Sequence, residues 1–490
     1  YFLEFSGRYD GSSRFAAGHR WGFFPSFSAG YDIARTPYFQ KMALPVSQLK
    51  VRVSYGRLGN QNGAGLYDYI AQMPLDAQGT NAWLLPGISS STASKGTIAQ
   101  TPKMISPYIT WEKVDNANLG FDLMLFKNRL SITADLYQRT TRDMIGPAES
   151  IPSISGIASE DRAKVNNATL RNRGWELSVS WNDKLKCGFS YGVGFNVFNY
   201  KAVVTKYNNP EGIIYNNHTG LAANKGYYEG MDLGEIWGYR ADDLFLSNRE
   251  IDDYLRKVDL TAFKSNDLWR RGDLKYIDTN GDGRVDGGKG TLSDHGDLQV
   301  IGNTTPKYSF GINLNLGYKG FEVSTLLQGV AKRDFPIAGS NYMFGGNNYN
   351  FKEHLDYFST ENPNGYLPRL TGWKDDKDFL VNTGYNTTRY LLNAAYMRMK
   401  NLTVAYTFNK KQLKHIGISN LKVYVTCDNL FTITKLPKQF DPETLNQVNM
   451  SAGGDAKNTA PGLTSPMKQN GNGMVYPMNR NFVFGLDFTF

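Results

Sequence analysis

The chain has 490 residues and a formal net charge of +9, with 50 glycines, 30 tyrosines and 28 phenylalanines. No run of about 18 apolar residues is present, which excludes a membrane-spanning helix, and no proline-rich or charged linker divides the sequence into domains. The basic residues are scattered through predicted turns and loops instead of being gathered on one stripe, so the composition predicts no nucleic-acid partner.

The first part of the chain is predicted to form β-strands, because apolar and polar residues alternate in three segments. These segments are 1–6, 21–33 and 49–56. The alternation already runs through Tyr1, an unusual natural N-terminus, so we expect the sequence to be the C-terminal portion of a longer chain.

Two tight hairpins are predicted next. The first joins 119–125 to 130–136, and the second joins 175–181 to 189–197. In each hairpin the apolar residues of both strands fall on one face, as neighbouring antiparallel strands require.

The clearest hairpin covers residues 307–329, KYSFGINLNLGYKGFEVSTLLQG. Its turn is Lys319-Gly320, in which glycine accommodates a positive φ. The apolar face pairs Tyr318 with Phe321, Leu316 with Val323, Leu314 with Thr325 and Ile312 with Leu327, and the polar face pairs Gly317 with Glu322 and Asn315 with Ser324. One such hairpin fits either a soluble sandwich or a membrane barrel.

The last strands are predicted over 397–408, 421–427 and 482–490. The first of them changes parity at Lys400 and Asn401, which predicts a β-bulge. Twelve strands result in all.

The connections between the twelve strands alternate between short and long, as in bacterial outer-membrane barrels. The long connections are predicted over about 58–114, 143–171, 201–306, 332–389 and 432–480. The charged strand residues Lys50, Arg52, Asp122, Asp135, Glu176, Glu322 and Asp487 all fall on the polar face. The fold class is therefore predicted to be all-β, a transmembrane antiparallel β-barrel with long extracellular loops.

A loop with the sequence DTNGDGRVD begins at Asp278. Oxygen-bearing side chains at alternate positions, followed by glycine, are typical of loops that bind Ca²⁺. Lys289 stands where such loops place a bidentate glutamate, so Asp294 or Asp297 would have to close the site. The candidate ligands are Asp278, Asn280, Asp282, Arg284, Asp286 and Asp297, and the alternative is a plain Asx/Gly turn. A bound Ca²⁺ would stiffen this external loop without taking part in chemistry.

Aromatic residues are frequent in the long loops, several of them beside Asn or Gly, and flat rings beside amides suit sugars or peptides. The candidate substrate contacts are Trp83, Tyr215, Tyr227, Tyr228, Tyr342 and Tyr349, with Trp269 and Trp373 in similar settings. The alternative is that these rings pack the loops together.

No catalytic site is predicted, so the protein is expected not to be an enzyme. Residues 188–192 match the G-x-S-x-G pattern of hydrolases, but that motif requires a strand-to-helix elbow, and here the strand alternation continues to Val197. The five histidines show no paired spacing for zinc.

Several short motifs, taken in order, resemble the SusC/RagA-like TonB-dependent transporters of Bacteroidetes outer membranes. They are Asp10–Phe15 with Gly22–Ser26, Ser54–Gly56 with Gly59–Gln61, Thr110–Glu112, Asn172–Glu176, Asp273–Asp286 with Ile301–Asn303, Tyr318–Phe321, Asp428–Phe431 with Asp441–Glu443, and the terminal Phe490. The resemblance covers nearly the whole chain.

The resemblance implies a 22-stranded barrel plugged by an N-terminal domain, of which residues 1–490 would supply the last twelve strands. It further implies import of oligosaccharides or peptides, powered through TonB and assisted by a SusD-like surface lipoprotein that covers the barrel. Phe490 would resemble the signal that is read by the barrel-assembly machinery. The substrate is not decided by the sequence.

Three other functions are compatible with parts of the pattern. A passive twelve-stranded porin would have a closed lumen and no plug, an outer-membrane enzyme would need a catalytic cluster, and a soluble glycan-binding β-protein would have no reason to sort its loops by length. The resemblance favours the importer.

Overall fold

A computed structural model describes most of the chain. The described residues are 1–42, 44–73, 75–76, 98–99, 102, 104–146, 154, 162–214, 227–337, 352–371, 377–408, 413, 418–445 and 477–489.

Twelve long strands form one sheet, as the sequence predicts. They are β1 (Phe2–Gly11), β2 (Trp21–Asp32), β3 (Val46–Asn60), β4 (Glu112–Leu125), β5 (Leu130–Gly146), β6 (Val165–Lys184), β7 (Ser190–Lys206), β8 (Lys307–Tyr318), β9 (Phe321–Lys332), β10 (Tyr396–Thr407), β11 (Asn420–Asp428) and β12 (Asn481–Thr489). Every strand pairs antiparallel with its neighbours in chain order, and the short strand Thr432–Thr434 also pairs with β10.

The sheet formed by the described residues is open. No pairing joins β1 to β12, so each of these strands has one free edge. A passive porin of twelve strands requires a closed lumen, and the open sheet therefore counts against that alternative.

The register of the β8–β9 hairpin is the predicted one. Tyr318 lies opposite Phe321, Leu314 opposite Thr325 and Ile312 opposite Leu327. Lys319 (φ 47°) and Gly320 (φ 92°) form a turn with two positive φ angles, which matches the right-handed twist of the strands. The predicted bulge in β10 is also confirmed, because the pairing with β9 skips Lys400.

The five longest connections all lie at one edge of the sheet, as predicted, although the connection 12–20 at that edge is shorter than 33–45 and 408–419 at the other edge. One edge has the connections 33–45, 126–129, 185–189, 319–320 and 408–419, and the other has 12–20, 61–111, 147–164, 207–306, 333–395 and 429–480. Several strands are longer than the sequence pattern indicated, with β3 continuing to Asn60 and β6 starting at Val165.

The connections contain short elements. The helices are Ile33–Arg35, Pro37–Lys41, Asn248–Leu255, Asn266–Leu268, Lys352–Leu355, Lys377–Phe379 and Leu380–Gly384, and the strand pairs are Leu75–Asp76 with Ile98–Ala99, Glu235–Gly238 with Gln299–Asn303, Asp243–Leu244 with Leu274–Lys275, and Asp334–Pro336 with Leu391–Asn393. Helix Asn248–Leu255 begins where Ser247 accepts a hydrogen bond from the Glu250 N–H at 3.1 Å. None of the helices formed by the described residues has the length and hydropathy to cross a membrane.

Candidate functional site

The two longest connections fold together around one hydrophobic core. Its buried side chains come from 207–306 (Trp237, Tyr239, Phe245, Leu260, Phe263, Trp269, Leu274, Tyr276, Val285), from 333–395 (Phe335, Ile337, Phe358, Leu367, Val381, Tyr390) and from the following loop (Leu436, Phe440, Leu445). We call this assembly the loop unit. Because such a core resembles that of a small domain, the loop unit is a fixed structure at the long-connection edge of the sheet.

A buried ionic cluster joins the two halves of the loop unit. Lys264 Nζ lies 2.7 Å from Asp273 Oδ2 and 2.6 Å from Asp378 Oδ1, and the side chains of Lys264 and Asp273 are completely buried. Arg369 contacts both carboxylates from the other side. Asn382 donates to Asp273 Oδ1 at 2.9 Å and accepts from the Leu274 N–H at 2.9 Å. Two cations therefore balance two anions.

Asp378 illustrates the balance of forces in this cluster. Burial by itself raises the pKa of the Asp378 carboxyl, but the hydrogen bonds from Lys264 and Arg369 outweigh burial, and the pKa lies below its usual value. Because the pKa is lowered on folding, the stabilisation is complete above the ordinary aspartate range near 3.9 and is lost as the pH falls through the lowered value.

The predicted calcium-binding loop lies in the loop unit, directly after the strand Leu274–Lys275. The two oxygens of Asp278 accept backbone N–H groups, from Gly281 at 2.6 Å and from Gly283 at 2.8 Å. Both glycines have positive φ, 79° and 82°, which permits the sharp turn. Val285 is fully buried, and its N–H donates to the Asp259 carbonyl at 2.9 Å.

The other predicted ligands also hold the turn. Asn280 Oδ1 accepts from the Asp282 N–H at 2.9 Å, and Asp282 accepts from the Arg284 N–H at 2.8 Å. The Arg284 side chain lies 3.2 Å from the Asp286 carboxylate. Asp297 is 1% exposed and accepts from the Asp286 N–H at 3.0 Å, which brings it next to the loop.

The donor set suits Ca²⁺ in its chemistry. Within the described ranges, no three acidic, histidine or cysteine side chains are grouped so that they could hold a metal ion by themselves. A carboxylate oxygen that accepts one N–H still has acceptor capacity, and Asn280 and the Arg284 carbonyl are oxygen donors of the kind that Ca²⁺ takes. Calcium binding by this loop therefore stays a prediction.

The aromatic candidates occupy different environments. Tyr228 is buried, packs edge-on against Trp237 and donates to Glu235 Oε2 at 2.5 Å, and burial raises the pKa of its hydroxyl. Trp269 is also buried. These two rings belong to the core of the loop unit. For Tyr228 and Trp269 the structure therefore agrees with the alternative interpretation, in which the rings pack the loops together.

Tyr227 differs, because 44% of its surface is exposed while its ring packs against Tyr207. It is the aromatic candidate that faces solvent in the described part of the chain. Trp83, Tyr215, Tyr342, Tyr349 and Trp373 lie outside the described residues, as does Phe490.

Ion pairs cover the polar face of the sheet. Arg52 Nε lies 2.8 Å from Asp122 Oδ2, and its Nη2 lies 3.2 Å from Asp135 Oδ2, which links β3, β4 and β5. Lys422 and Glu322 form a pair across β11 and β9, beside an open cavity of about 630 Å³ whose lining includes Lys184, Asn315 and Ser324. Ion pairs on this face are typical of the polar inner surface that lines the water-filled lumen of a membrane barrel.

The described residues 429–445, at the start of the final loop, are held to the sheet by a second buried ion pair. Arg398 on β10 lies 2.8 Å from Asp441 Oδ2, and both side chains are 4% exposed. Burial by itself raises the pKa of Asp441, but hydrogen bonds from Arg398 and from the Met478 and Glu443 N–H groups outweigh burial and lower it. Arg333 donates to the carbonyl of Leu445 at 2.9 Å and strengthens the same attachment.

Sequence reasoning missed both ion clusters. Their partners are separated by up to 114 residues, as between Lys264 and Asp378, and no periodic pattern relates such positions. It correctly rejected the hydrolase motif, because Ser190 begins a straight strand and donates to the Gly317 carbonyl at 3.3 Å.

An open antiparallel sheet with one apolar exposed face, one charged face and folded external loops defines a protein of the bacterial outer-membrane β-barrel class. Comparison with protein families agrees, since residues 1–430 match the family described as TonB dependent receptor-like, beta-barrel. The chain belongs to this family, and it is an outer-membrane protein.

Curated relatives match all or nearly all of the chain. TonB-dependent receptor P3 of Formosa agariphila is 25% identical over 498 residues, which cover 100% of this chain and 44% of the relative. TonB-dependent receptor SusC of Bacteroides thetaiotaomicron is 24% identical over 456 residues, which cover 92% of this chain and 40% of the relative. The chain thus spans less than half the length of these relatives.

Solved structures show the same fold. The structure of the RagAB peptide transporter superposes with a TM-score of 0.64 at 23% identity and covers 90% of this chain and 43% of that chain. The RagAB peptide importer in the open-open state gives a TM-score of 0.64 at 21% identity. At these sequence identities, the similarity to the solved structures shows a shared fold alone.

Proposed function

We propose that this chain is the C-terminal barrel portion of a TonB-energised importer of oligosaccharides or peptides that works with a SusD-like surface lipoprotein. The observation that carries the proposal is the loop unit, a folded structure at the long-connection edge. A loop edge held by its own core and by buried ion pairs is suited to dock a partner and to admit a large substrate.

The open sheet supports a larger barrel. The free edges of β1 and β12 expose unpaired backbone groups, which a bilayer does not tolerate. We infer that further strands of the same protein pair with these edges, and that a plug domain occupies the charged lumen. The TonB-contacting segment would lie in that further part.

The proposed substrates are of two classes, glycans and peptides. A relative is named SusC and a structural neighbour is a peptide transporter, and each name applies to that protein. The exposed ring of Tyr227 is the described aromatic that suits either ligand.

Native mass spectrometry of the full-length protein, purified from its membranes in mild detergent, tests the proposal. We expect a polypeptide whose mass is much greater than that of these 490 residues, and we expect it to be accompanied by a lipoprotein and by bound peptide or oligosaccharide. Detection of a 490-residue polypeptide without a bound lipoprotein would contradict the proposal that the protein is an importer of this kind.

Two exposed leucines mark the surface where we expect the lipoprotein to dock. Leu246 is 53% exposed and Leu370 is 55% exposed. The segments that carry them lie side by side, because the Gly272 N–H donates to the Phe245 carbonyl and the Gly272 carbonyl accepts from the Arg369 N–H. An apolar surface on a solvent-facing loop is typical of an interface.

The double substitution Leu246→Glu and Leu370→Glu is expected to abolish retention of the lipoprotein during purification, because it places charge in an apolar interface. The matched control is Leu185→Glu, which changes an exposed leucine at the short-connection edge. Equal retention by the double variant and the control would show that this surface is not the docking site.

Calcium binding is the second part of the proposal, and Asp282 provides its test. In the full-length protein, Ca²⁺ is expected to protect residues 273–300 from protease, and Asp282→Ala is expected to remove most of that protection because an oxygen ligand is lost. Asp253→Ala, on the exposed face of helix Asn248–Leu255, serves as the control. Protection that is independent of Ca²⁺ in the unsubstituted protein would favour the plain turn.

A further inference from the structure

The outward face of strands β3 to β7 changes from apolar to basic at one level of the sheet. Cross-strand pairs carry the apolar face through Val53, Leu119, Leu136 and Trp175. Two to six residues further toward the long connections, the same face carries Arg57, Lys113, Arg142, Arg171, Arg173 and Lys201, which we call the basic row. The sequence alternation did not reveal this row, because it lies beyond the predicted strand ends.

Side-chain contacts confirm that the basic row shares one face. Tyr55 donates to Asp115 Oδ1 at 3.1 Å, and Arg57 lies 2.6 Å and Arg142 3.4 Å from the same carboxylate. Arg173 donates to Gln138 Oε1 at 2.6 Å. All of these contacts cross between neighbouring strands on the outer surface.

The basic row has more cations than local anions. Asp115 forms ion pairs with two of the arginines. Lys113 lies 2.8 Å from Asp143, and Lys201 lies 4.0 Å from Asp232. Arg171 and Arg173 make no ion pair within the described residues. Six cations thus face three carboxylates, and the surplus is greatest on β6.

The height of the basic row above the short-connection edge of the sheet follows from the positions of aromatic residues at that edge. Trp181, at the short-connection end of β6, donates to the Tyr191 hydroxyl at 3.2 Å. At the same edge of the sheet, on β9 and β10, the rings of Phe321 and Tyr406 lie tilted against each other with centroids 4.5 Å apart. Such aromatic residues mark a membrane interface. Arg173 and Arg171 follow Trp181 at a rise of about 3.3 Å per residue on strands tilted by about 40°, so they lie roughly 20–25 Å above it.

That height equals the apolar band of an outer-membrane barrel, which is about 25 Å tall. The basic row therefore lies at the level of the headgroups of the outer leaflet, which consists of phosphorylated glycolipid. We propose that the basic row binds the phosphate groups of this glycolipid. Arginine is suited to the task, because its planar guanidinium donates two parallel hydrogen bonds to a phosphate.

The test uses full-length protein in vesicles of neutral phosphatidylcholine, with lipopolysaccharide that carries phosphorylated lipid A as the probe. The double substitution Arg171→Gln and Arg173→Gln is expected to weaken glycolipid binding about thirtyfold, as the loss of two basic residues at an anionic surface predicts. Binding is measured as glycolipid retained per protein in native mass spectra.

Arg139→Gln is the matched control. Arg139 lies on β5 directly opposite Asn172, between the two substituted arginines, but on the lumen face. It is expected to retain glycolipid as the unsubstituted protein does. Retention by the double variant that equals this control would overturn the proposal, and so would equal binding of dephosphorylated lipid A by the unsubstituted protein.

A second measurement needs no substitution. Raising the salt concentration from 0.05 M to 0.5 M, by about tenfold, is expected to weaken binding of phosphorylated lipid A and to leave the dephosphorylated form unchanged, because salt screens exposed charges. Binding that does not respond to salt would also overturn the proposal.

Discussion

Asp273→Ala is expected to unfold the loop unit while the strands of the sheet stay folded. The substitution removes the anion that pairs with the buried Lys264 and with Arg369, and it removes the acceptor of Asn382. Removing one partner of a buried ion pair leaves an uncompensated charge and costs about 3–5 kcal/mol. The loop unit lacks the extended strand pairing of the sheet, so we expect this loss to fall on the loop unit.

Limited proteolysis of the full-length protein in detergent measures the effect. We expect Asp273→Ala to be cleaved within residues 227–306 under conditions in which the unsubstituted protein resists. The control is Asp253→Ala, which removes a carboxylate whose side chain is 53% exposed and which pairs, among the described residues, with Arg249 and Arg256. Surface pairs of this kind contribute at most about 1 kcal/mol, so the control should resist protease.

The result also shows whether the buried ionic cluster is needed to hold the two connections together. If Asp273→Ala resists protease as the control does, the two connections are held together by their shared apolar core alone. In that case Phe263 and Tyr385, which come from different connections and pack edge-on with ring centroids 5.4 Å apart, would be among the contacts that fix the unit.

The strands were predictable because their signal is local. The alternation of residues 308–318 defines both faces of β8, and a turn of two residues then leaves one register that keeps Leu314 and Thr325 on the same side. The bulge at Lys400 was predictable for the same reason, since a single extra residue inverts the alternation.

The loop unit was not predictable, because its signal is not local. Asp273 follows a tryptophan, two arginines and a glycine in sequence, and its pairing with Asn382 spans 109 residues. The sequence placed Tyr228 among the substrate contacts because it could not show that Trp237 and Glu235 enclose the ring. Burial of a loop residue depends on distant contacts that no short window contains.

The outer surface was predicted correctly only as far as the predicted strand ends reached. Arg57 continues the parity of Val53 and Tyr55, so it lies on the lipid-facing side although it is charged. A charged residue on that side is compatible with a barrel only above the apolar band. The added length of β3, β5 and β6 therefore changes the chemistry of the surface as well as its extent.

Leu314→Arg is expected to prevent most of the full-length protein from folding into lipid vesicles, whereas Asn313→Arg is expected to fold normally. Leu314 lies in the middle of β8 on the apolar face, opposite Thr325 on one side and Val193 on the other. Arginine on the lipid face at the bilayer midplane costs about 2–4 kcal/mol. Asn313 is one residue away on the lumen face, where Gly194 lies opposite and leaves room for a longer side chain.

The fraction of folded protein is measured by the shift in gel mobility between unheated and heated samples after refolding into vesicles of different thickness. For Leu314→Arg the deficit should be smaller in thinner bilayers, because arginine then reaches the interface more easily. The Asn313→Arg variant should not respond to thickness. Equal folding of both variants in every bilayer would mean that the two faces of β8 meet the same surroundings, and the assignment of the apolar face to lipid would be wrong.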